Sequence, residues 1–391
     1  METIVPEGYK KTKFGYVPNE WRIDNFSKVI KPIVREVEKP NEPYWRLGLR
    51  SHGKGTFHEF IEDPNSVSMD KLYIVKEDDL IVNITFAWEH AIALAAKKDE
   101  NKLVSHRFPT YQFTNNNVPL FYKYYVLQPR FKYELENISP GGAGRNRVMS
   151  KTDFLKIDVL IPSSKEQTKI AQILTTWDEV IVKQEKLIKE KEQLKKGLIQ
   201  KLLSGEIRFQ GFNEDWKFVK LGDLLDYLQP TQYLVSDTNY SDEYETPVLT
   251  AGKTFILGYT NETQGIFADN LPVIIFDDFT TATQFVDFPF KAKSSAMKIL
   301  KPKNKSVNVK LVYEIMQMIN FVADDHKRYW ISEYQELEIK LPSKEEQLKI
   351  SEFLNTINNE INLLKNELEE LKQQKKALMQ KLLTGQVRVK V

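Results

Sequence analysis

Ile161–Gln210 reads I-P-S-S-K-E-Q-T-K-I…Q-K-L-L-S-G-E-I-R-F-Q, and Leu341–Lys390 reads L-P-S-K-E-E-Q-L-K-I…Q-K-L-L-T-G-Q-V-R-V-K. The two stretches align without a gap at a spacing of 180 residues, with about 20 of 50 paired positions identical. A chain that writes one long segment twice is built from two equivalent halves, and a repeat constrains the fold before any other signal. Both copies open on Pro-Ser with a Glu three residues after the Ser (Pro162, Ser163, Glu166; Pro342, Ser343, Glu346), the capping-box pattern that starts a helix. Both close on Ser204-Gly205 or Thr384-Gly385, where Gly takes the left-handed conformation that ends one.

Between these signals lies a heptad-like seam. In the second copy it runs through Ile350, Leu354, Ile357, Ile361, Leu364, Leu368, Leu371, Leu378 and Leu382, broken at Lys375. The first copy keeps it less strictly, through Ile170, Leu174, Trp177, Ile181, Ile188, Leu198 and Leu202. About 40 helical residues at about 1.5 Å each make a rod of roughly 60 Å. A lone helix of that kind leaves an apolar stripe in water, so the two copies are predicted to pair as an antiparallel coiled coil, each preceding module packing near the start of its own helix.

The segments before the two helices read differently, as short runs rich in Val, Ile, Tyr, Phe and Thr broken by Gly, Pro, Asn and Asp. Lys71–Val75, Asp79–Phe86, Tyr122–Leu127, Pro247–Thr250, Pro272–Phe276 and Glu336–Leu341 are the runs read as strands. Their entries echo each other, N-E-W-R-I at Asn19–Ile23 and E-D-W-K-F at Glu214–Phe218, each followed by an apolar helix-like stretch. The predicted fold is α+β: two β-rich α+β modules, residues 1–160 and 211–340, joined by two long antiparallel coiled-coil helices, residues 161–210 and 341–391, in a pseudo-twofold arrangement.

At 391 residues and 41% hydrophobic the chain has ample material for real cores. It contains no cysteine, which excludes disulfides and thiolate metal sites, and its five histidines lack ligand-like spacing. Neither a signal-peptide pattern nor a bilayer-length apolar run occurs, so a soluble, cytoplasmic protein is expected. The net charge of +2 divides unevenly: residues 1–160 carry 24 basic against 21 acidic side chains, while residues 211–340 carry 13 against 19. Any contact of the second module with nucleic acid therefore has to come from a local face.

Motifs for bond-making chemistry are missing. Gly141-Gly142-Ala143-Gly144 lacks the strand–loop–helix setting of a nucleotide loop and reads as a turn; Gly252-Lys253-Thr254 lacks the leading glycine of a P-loop, since Pro247 stands there. Glu338-Ile339-Lys340, with Asp324 or Asp325 upstream, is the sole support for a nuclease, and it reads more simply as an alternating strand. A non-DNA coiled-coil adaptor is the other alternative, with the acidic second module as its argument. The balance of residues favours a non-catalytic binding and assembly protein.

The twin P-S-x-x-E-Q-x-K-I…Q-K-L-L-[ST]-G-x-[IV]-R helices, each following a β-rich module opened by a Trp-containing segment, resemble the DNA-specificity subunit of type I restriction-modification systems over essentially the whole chain. The resemblance implies that each module is a target recognition domain reading half of a bipartite double-stranded DNA site, and that the helices form the spacer and dock two modification (adenine methyltransferase) subunits. It implies no cofactor in this chain. S-adenosylmethionine, ATP and Mg are expected on the partner subunits, which include a restriction subunit acting as translocase.

Base edges are read by loops bearing Arg, Lys, Asn, Gln and Thr. At the 180-residue offset Arg145-Asn146-Arg147 aligns with Asp325-His326-Lys327, just before Arg328, Tyr329 and Trp330, and both stretches are predicted to touch DNA; each also reads as an ordinary solvated basic turn. Further candidates in the first module are Arg46, Arg50, His52 and Lys54, in the strand-then-turn L-G-L-R-S-H-G-K-G, and Trp88 and His90 in the segment N-I-T-F-A-W-E-H that leaves an apolar strand for a loop, although burial is the commoner fate of such a Trp. In the second module they are Lys253, Tyr259, Thr280, Thr281, Thr283 and Gln284, which equally suit a sheet edge.

Overall fold

A computed structural model describes residues 5–114, 116–141, 147–252, 254–321 and 328–391. The repeated segments are helices of 40 residues, Ser164–Leu203 and Lys344–Leu383. The chain divides into two compact units, residues 1–185 with 367–391 and residues 186–366. Each unit thus holds one module, the first half of the helix that follows it and the second half of the other helix. The division runs through both long helices.

Within each unit the two helical halves run in opposite directions. In the first, Asp178 is paired with Lys375 and Glu185 with Lys372; in the second, Lys191 with Glu360 and Glu192 with Lys365. Of the seam residues, Ile170, Leu174, Ile188, Leu202, Ile350, Leu354, Ile361, Leu368 and Leu382 are buried and the rest are half-buried. Lys375, which interrupts the seam, is aimed at Asp178, whose carboxylate also accepts the Tyr124 hydroxyl. Burial opposes the Asp178 charge, but these two donors more than offset it and hold the carboxyl below its usual value.

The modules share a common framework, to which the first adds strands of its own. In the first, Ile30–Ile33, Thr110–Phe113, Leu80–Val82 and Ile92–Leu94 lie side by side, all antiparallel. In the second, Leu225–Leu228, Met297–Pro302, Val273–Asp277 and Thr283–Val286 repeat that order. Each has a hairpin with a short strand parallel to its first arm: Tyr44–Leu49 and Thr56–Ile61 with Leu103–Val104, and Thr246–Leu249 and Ile256–Thr260 with Lys291–Ala292. A third ladder ties the entry of each module to the strand feeding its helix, Arg22–Asn25 with Asp158–Ile161 and Lys217–Lys220 with Glu338–Leu341. The last strand alternates exposed and buried as Glu-Ile-Lys-Leu requires.

Two strand readings fail. Tyr122–Leu127 falls mostly in the helix Pro119–Tyr125, where Phe121, Tyr122, Tyr124 and Tyr125 are all buried while Leu120 and Lys123 face outward. A strand would put Lys123 on the same face as Phe121 and Tyr125, so burying those rings would bury the ammonium as well. A helix started by Pro119 separates them, and packing overrides the β-propensity of the aromatics. Asp79–Phe86 forms a strand only over Leu80–Val82 before Asn83 turns the chain, its side chain accepting from the Thr85 N–H. The helix-like stretches after the Trp entries are single short turns, Phe26–Lys28 and Leu221–Leu224.

Each helix start carries the interaction that joins module, helix and returning tail. Ser163 Oγ caps the helix by accepting the Glu166 N–H at 3.3 Å, and Ser343 does the same for Glu346 at 3.4 Å. The glutamates do not complete the box. Glu166 is 3% exposed and accepts the Trp21 indole N–H and the Arg388 guanidinium. Glu346, 1% exposed, accepts Trp216 and both arms of Arg208, at 2.9 and 2.6 Å. Gly205 and Gly385, at φ +76° and +73°, end the helices and turn each arginine back toward its glutamate.

Replacing Glu166 by Ala strands a buried indole donor and leaves Arg388 with Glu20 as its remaining carboxylate partner. With Arg388 about one-third exposed, we expect a loss of about 2–3 kcal/mol, below the cost of breaking a fully buried pair. Urea unfolding should show it in the transition of the first unit, with Glu346→Ala acting on the second; a shift under about 0.5 kcal/mol would refute this role. A second prediction concerns acid. Glu262 is held down to about 2 by the hydrogen bond from buried Lys291. This stabilisation is complete above the ordinary glutamate value and is lost as pH falls from there toward 2. Glu262→Gln should therefore narrow the stability difference between pH 6 and pH 3, and an unchanged difference would count against the pairing.

Candidate nucleic-acid interface

Three segments far apart in sequence meet at one edge of the first module. The hairpin turn Arg50–Gly55 is closed by Arg50 N–H to Gly55 O, 2.9 Å. It is docked onto the turn after Leu80–Val82 by His52 N–H to Glu89 O (2.7 Å), Gly53 N–H to His90 O (2.9 Å) and Ser51 Oγ to the Glu89 carboxylate (2.6 Å). Residues 147–149 close over the same turn through Met149 N–H to Ile84 O, 2.8 Å. Glycine at 53 favours the approach: its φ is +65°, and a Cβ there would press on the end of the Leu127 side chain, 2.7 Å from Cδ2.

The second module repeats part of this arrangement. Thr250 N–H to Phe255 O closes its hairpin turn, and Tyr329 N–H to Asp278 O (3.2 Å) stands where Met149 stands to Ile84. The turn Asp277–Thr283 is organised by Asp277, whose carboxylate accepts from Phe279 and Thr280, with Thr281 at φ +57°. Beneath it Asp278, fully buried, accepts the Trp330 N–H at 3.0 Å. Its second oxygen lies 3.4 Å from buried Lys298.

The sequence candidates divide on this frame. His52 and Lys54 are exposed at the hairpin tip, and Arg147 lies over the Trp88 ring, 5.2 Å from its centroid. Thr280 and Thr281 form the second module's turn, Arg328 is exposed beside it, and Thr283 accepts from Gln317. Arg46 sits away from the tip, paired across the hairpin with Glu59 at 2.6 Å; Arg50 donates to Thr56 O and covers Phe57. Tyr259 and Gln284 are half-buried within strands. Arg145, Asn146, Lys253, His326 and Lys327 lie outside the described residues.

Three candidates expected at the surface are in the core instead. His90 is buried with φ +65°, its Nε2–H donating to Val126 O at 2.6 Å, and burial pushes its pKa down. Tyr329 and Trp330 are 2% and 1% exposed, with Trp330 packed on Phe276 and Tyr334. These side chains brace the loops from beneath, because large rings at a loop base gain more by burial than by exposure. Sequence reasoning missed the residues that shape the turns, Asn83, Asp277 and Asp278. The available signal was an Asn or Asp directly after an apolar run, the mark of a side-chain-closed turn.

Among the described residues no His, Asp and Glu side chains gather as a metal site, and no helix is long and apolar enough to cross a membrane. The surface at each edge offers donors, acceptors and positive charge on a rigid base, which suits recognition of a polar, anionic polymer.

The architecture is thus that of a duplicated module-plus-helix protein. The family model described as type I restriction modification DNA specificity domain matches residues 29–196 and 213–373, one copy per module and helix, and the chain belongs to this family. The Escherichia coli type I restriction enzyme EcoR124I/EcoR124II specificity subunit is 53% identical over 137 residues, 34% of this chain and 33% of that protein. The type I restriction enzyme MjaVIII specificity subunit of Methanocaldococcus jannaschii is 25% identical across 100% of this chain and 98% of its own length. In fold, the HsdS subunit of Thermoanaerobacter tengcongensis is similar with a TM-score of 0.53 at 17% identity, covering 95% of this chain and 98% of that one. A type I system S subunit from M. genitalium gives 0.55 at 16% identity, covering 93% and 96%.

Asp278→Ala should destabilise the second unit by about 3–5 kcal/mol, since it leaves Lys298 buried without its counter-charge. Adding Lys298→Met should recover part of that loss. Thermal unfolding of the single and double variants decides the matter, and strictly additive losses would rule out the coupling.

Proposed function

We propose that this chain is the non-catalytic specificity subunit of a type I restriction-modification complex in the cytoplasm. Each module reads one half of a bipartite double-stranded DNA target, and the two long helices set the unread gap and dock two adenine methyltransferase subunits. Restriction subunits join the same assembly. S-adenosylmethionine, ATP and Mg act on those partners, and this chain contributes position only.

The observation that carries the reading is the recurrence of one backbone bond in both modules, Met149 to Ile84 and Tyr329 to Asp278, whose donors stand at the same 180-residue offset as the helices. Two equivalent edges on one repeated frame suit two half-sites read in the same manner. Phosphate contacts from side chains such as Lys54 and Arg328 would supply register and a salt-dependent affinity.

The test is to insert seven residues at the midpoint of each long helix, preserving the seam. Two added turns of about 10 Å should widen the unread gap by about three base pairs and leave both half-sites unchanged. Sequencing the methylated adenines in cells carrying the altered system reads this directly; an altered half-site, or an unaltered gap, would sink the spacer role.

A further inference from the structure

We propose that Arg147 reads a guanine in the first module's half-site and that Trp88 is its positioning residue, a proposal that rests on the DNA-reading function above. Among the described residues the Trp88 ring is the recorded contact of the Arg147 guanidinium, with no carboxylate or carbonyl taking its N–H groups. The candidate arginines of the first module's hairpin differ. Arg46 is spent on Glu59 and Arg50 on Thr56 O.

The platform under Arg147 is fixed. Trp88 Nε1–H donates to Thr85 O at 3.1 Å, Thr85 N–H to Asn83 Oδ1 at 3.0 Å, and Ile84 N–H to Arg107 O at 3.0 Å. The Met149–Ile84 hydrogen bond ties the backbone two residues after Arg147 to the same turn. A guanidinium laid over an indole face loses its torsional freedom on folding, before any ligand arrives, and keeps its planar donor fork available. Guanine O6 and N7 are the base-edge acceptors that match that fork, whereas a phosphate contact needs no fixed plane. His52 and Lys54, exposed on the adjoining hairpin tip, suit the phosphates beside it.

The experiment uses the full chain with its methyltransferase partner and a bipartite target in which each guanine is replaced in turn by 7-deazaguanine, which lacks the N7 acceptor. Wild type should weaken about tenfold at one guanine of one half-site. Arg147→Ala should bind the natural site about tenfold more weakly and be indifferent to that same replacement, with the other half-site untouched. Arg147→Lys, which keeps the charge, should also lose the guanine preference, because an ammonium cannot donate as a fork. Trp88→Phe should retain most of the preference and Trp88→Leu should reduce it.

Arg147→Ala remaining as sensitive as wild type to every replacement, or losing affinity equally across both halves, overturns the guanine assignment. Full discrimination in Trp88→Leu overturns the positioning role. A wild-type complex with no bipartite preference at all overturns the proposed function itself, and is distinguishable because it is seen before any substitution.

Discussion

A carboxylate removed from water must be met by donors, and two buried glutamates govern how this chain closes on itself. Glu166 and Glu346 begin their helices, so each is held by the helix; each is also claimed by a tryptophan from its own module's entry and an arginine from the tail of the other helix. Three pieces of chain are locked at a point that solvent hardly reaches. Leaving any one out strands polar groups in the interior, and that cost makes the arrangement selective for one packing. The apolar cores agree with it: Ile170, Leu174, Leu382 and Leu383 enter the first module's core, and Ile199, Leu203, Ile350 and Leu354 the second's.

From that anchoring the recognition edges inherit their rigidity. The strand that feeds each helix is zipped to the module's entry strand, and the sheets behind it end in side-chain-closed turns. Buried rings at the base of these turns, His90 in one module and Trp330 in the other, fill the space that would otherwise let them move. What reaches the surface is mostly polar, so the modules can differ in content while sharing a chassis. The acidic balance of residues 211–340 is compatible with this, because the edge occupies a small part of the module's surface.

The helices were legible because their signals are local and repeated: Pro-Ser at the start, Gly at the end and a seam between. Glu166 was recognised as a helix-start residue, yet its partners are 145 and 222 residues away, and no local pattern carries such pairing. The β-rich character of the modules and the hairpin at Leu49–Thr56 were readable from turn chemistry. Tyr122–Leu127 was not, since its three closely spaced tyrosines satisfy a strand by propensity and a helix only by the burial they find. At the candidate edge, the residue types pointed to the right loops, but which side chains face out depends on depth: His52 is outside and His90 inside, though both are histidines in left-handed turn positions.

The two glutamate junctions, alike in contacts, differ in how far the chain must travel to make them. Arg208 and Trp216 are eight residues apart and reach Glu346 together, 130 to 138 residues on, so one long loop closes that junction; Trp21 and Arg388 are 367 apart and close two separate loops on Glu166, of 145 and 222 residues. For a flexible chain the second long closure costs about 3 kcal/mol more entropy than the eight-residue one. The same chemistry therefore costs less to assemble in one unit than in the other. The first unit closes only when the segment after the second long helix has returned to it, as in the Tyr9 hydroxyl's bond to Gly385 O and the Glu20–Arg388 pair. Order of assembly is written into a molecule whose finished halves look equivalent.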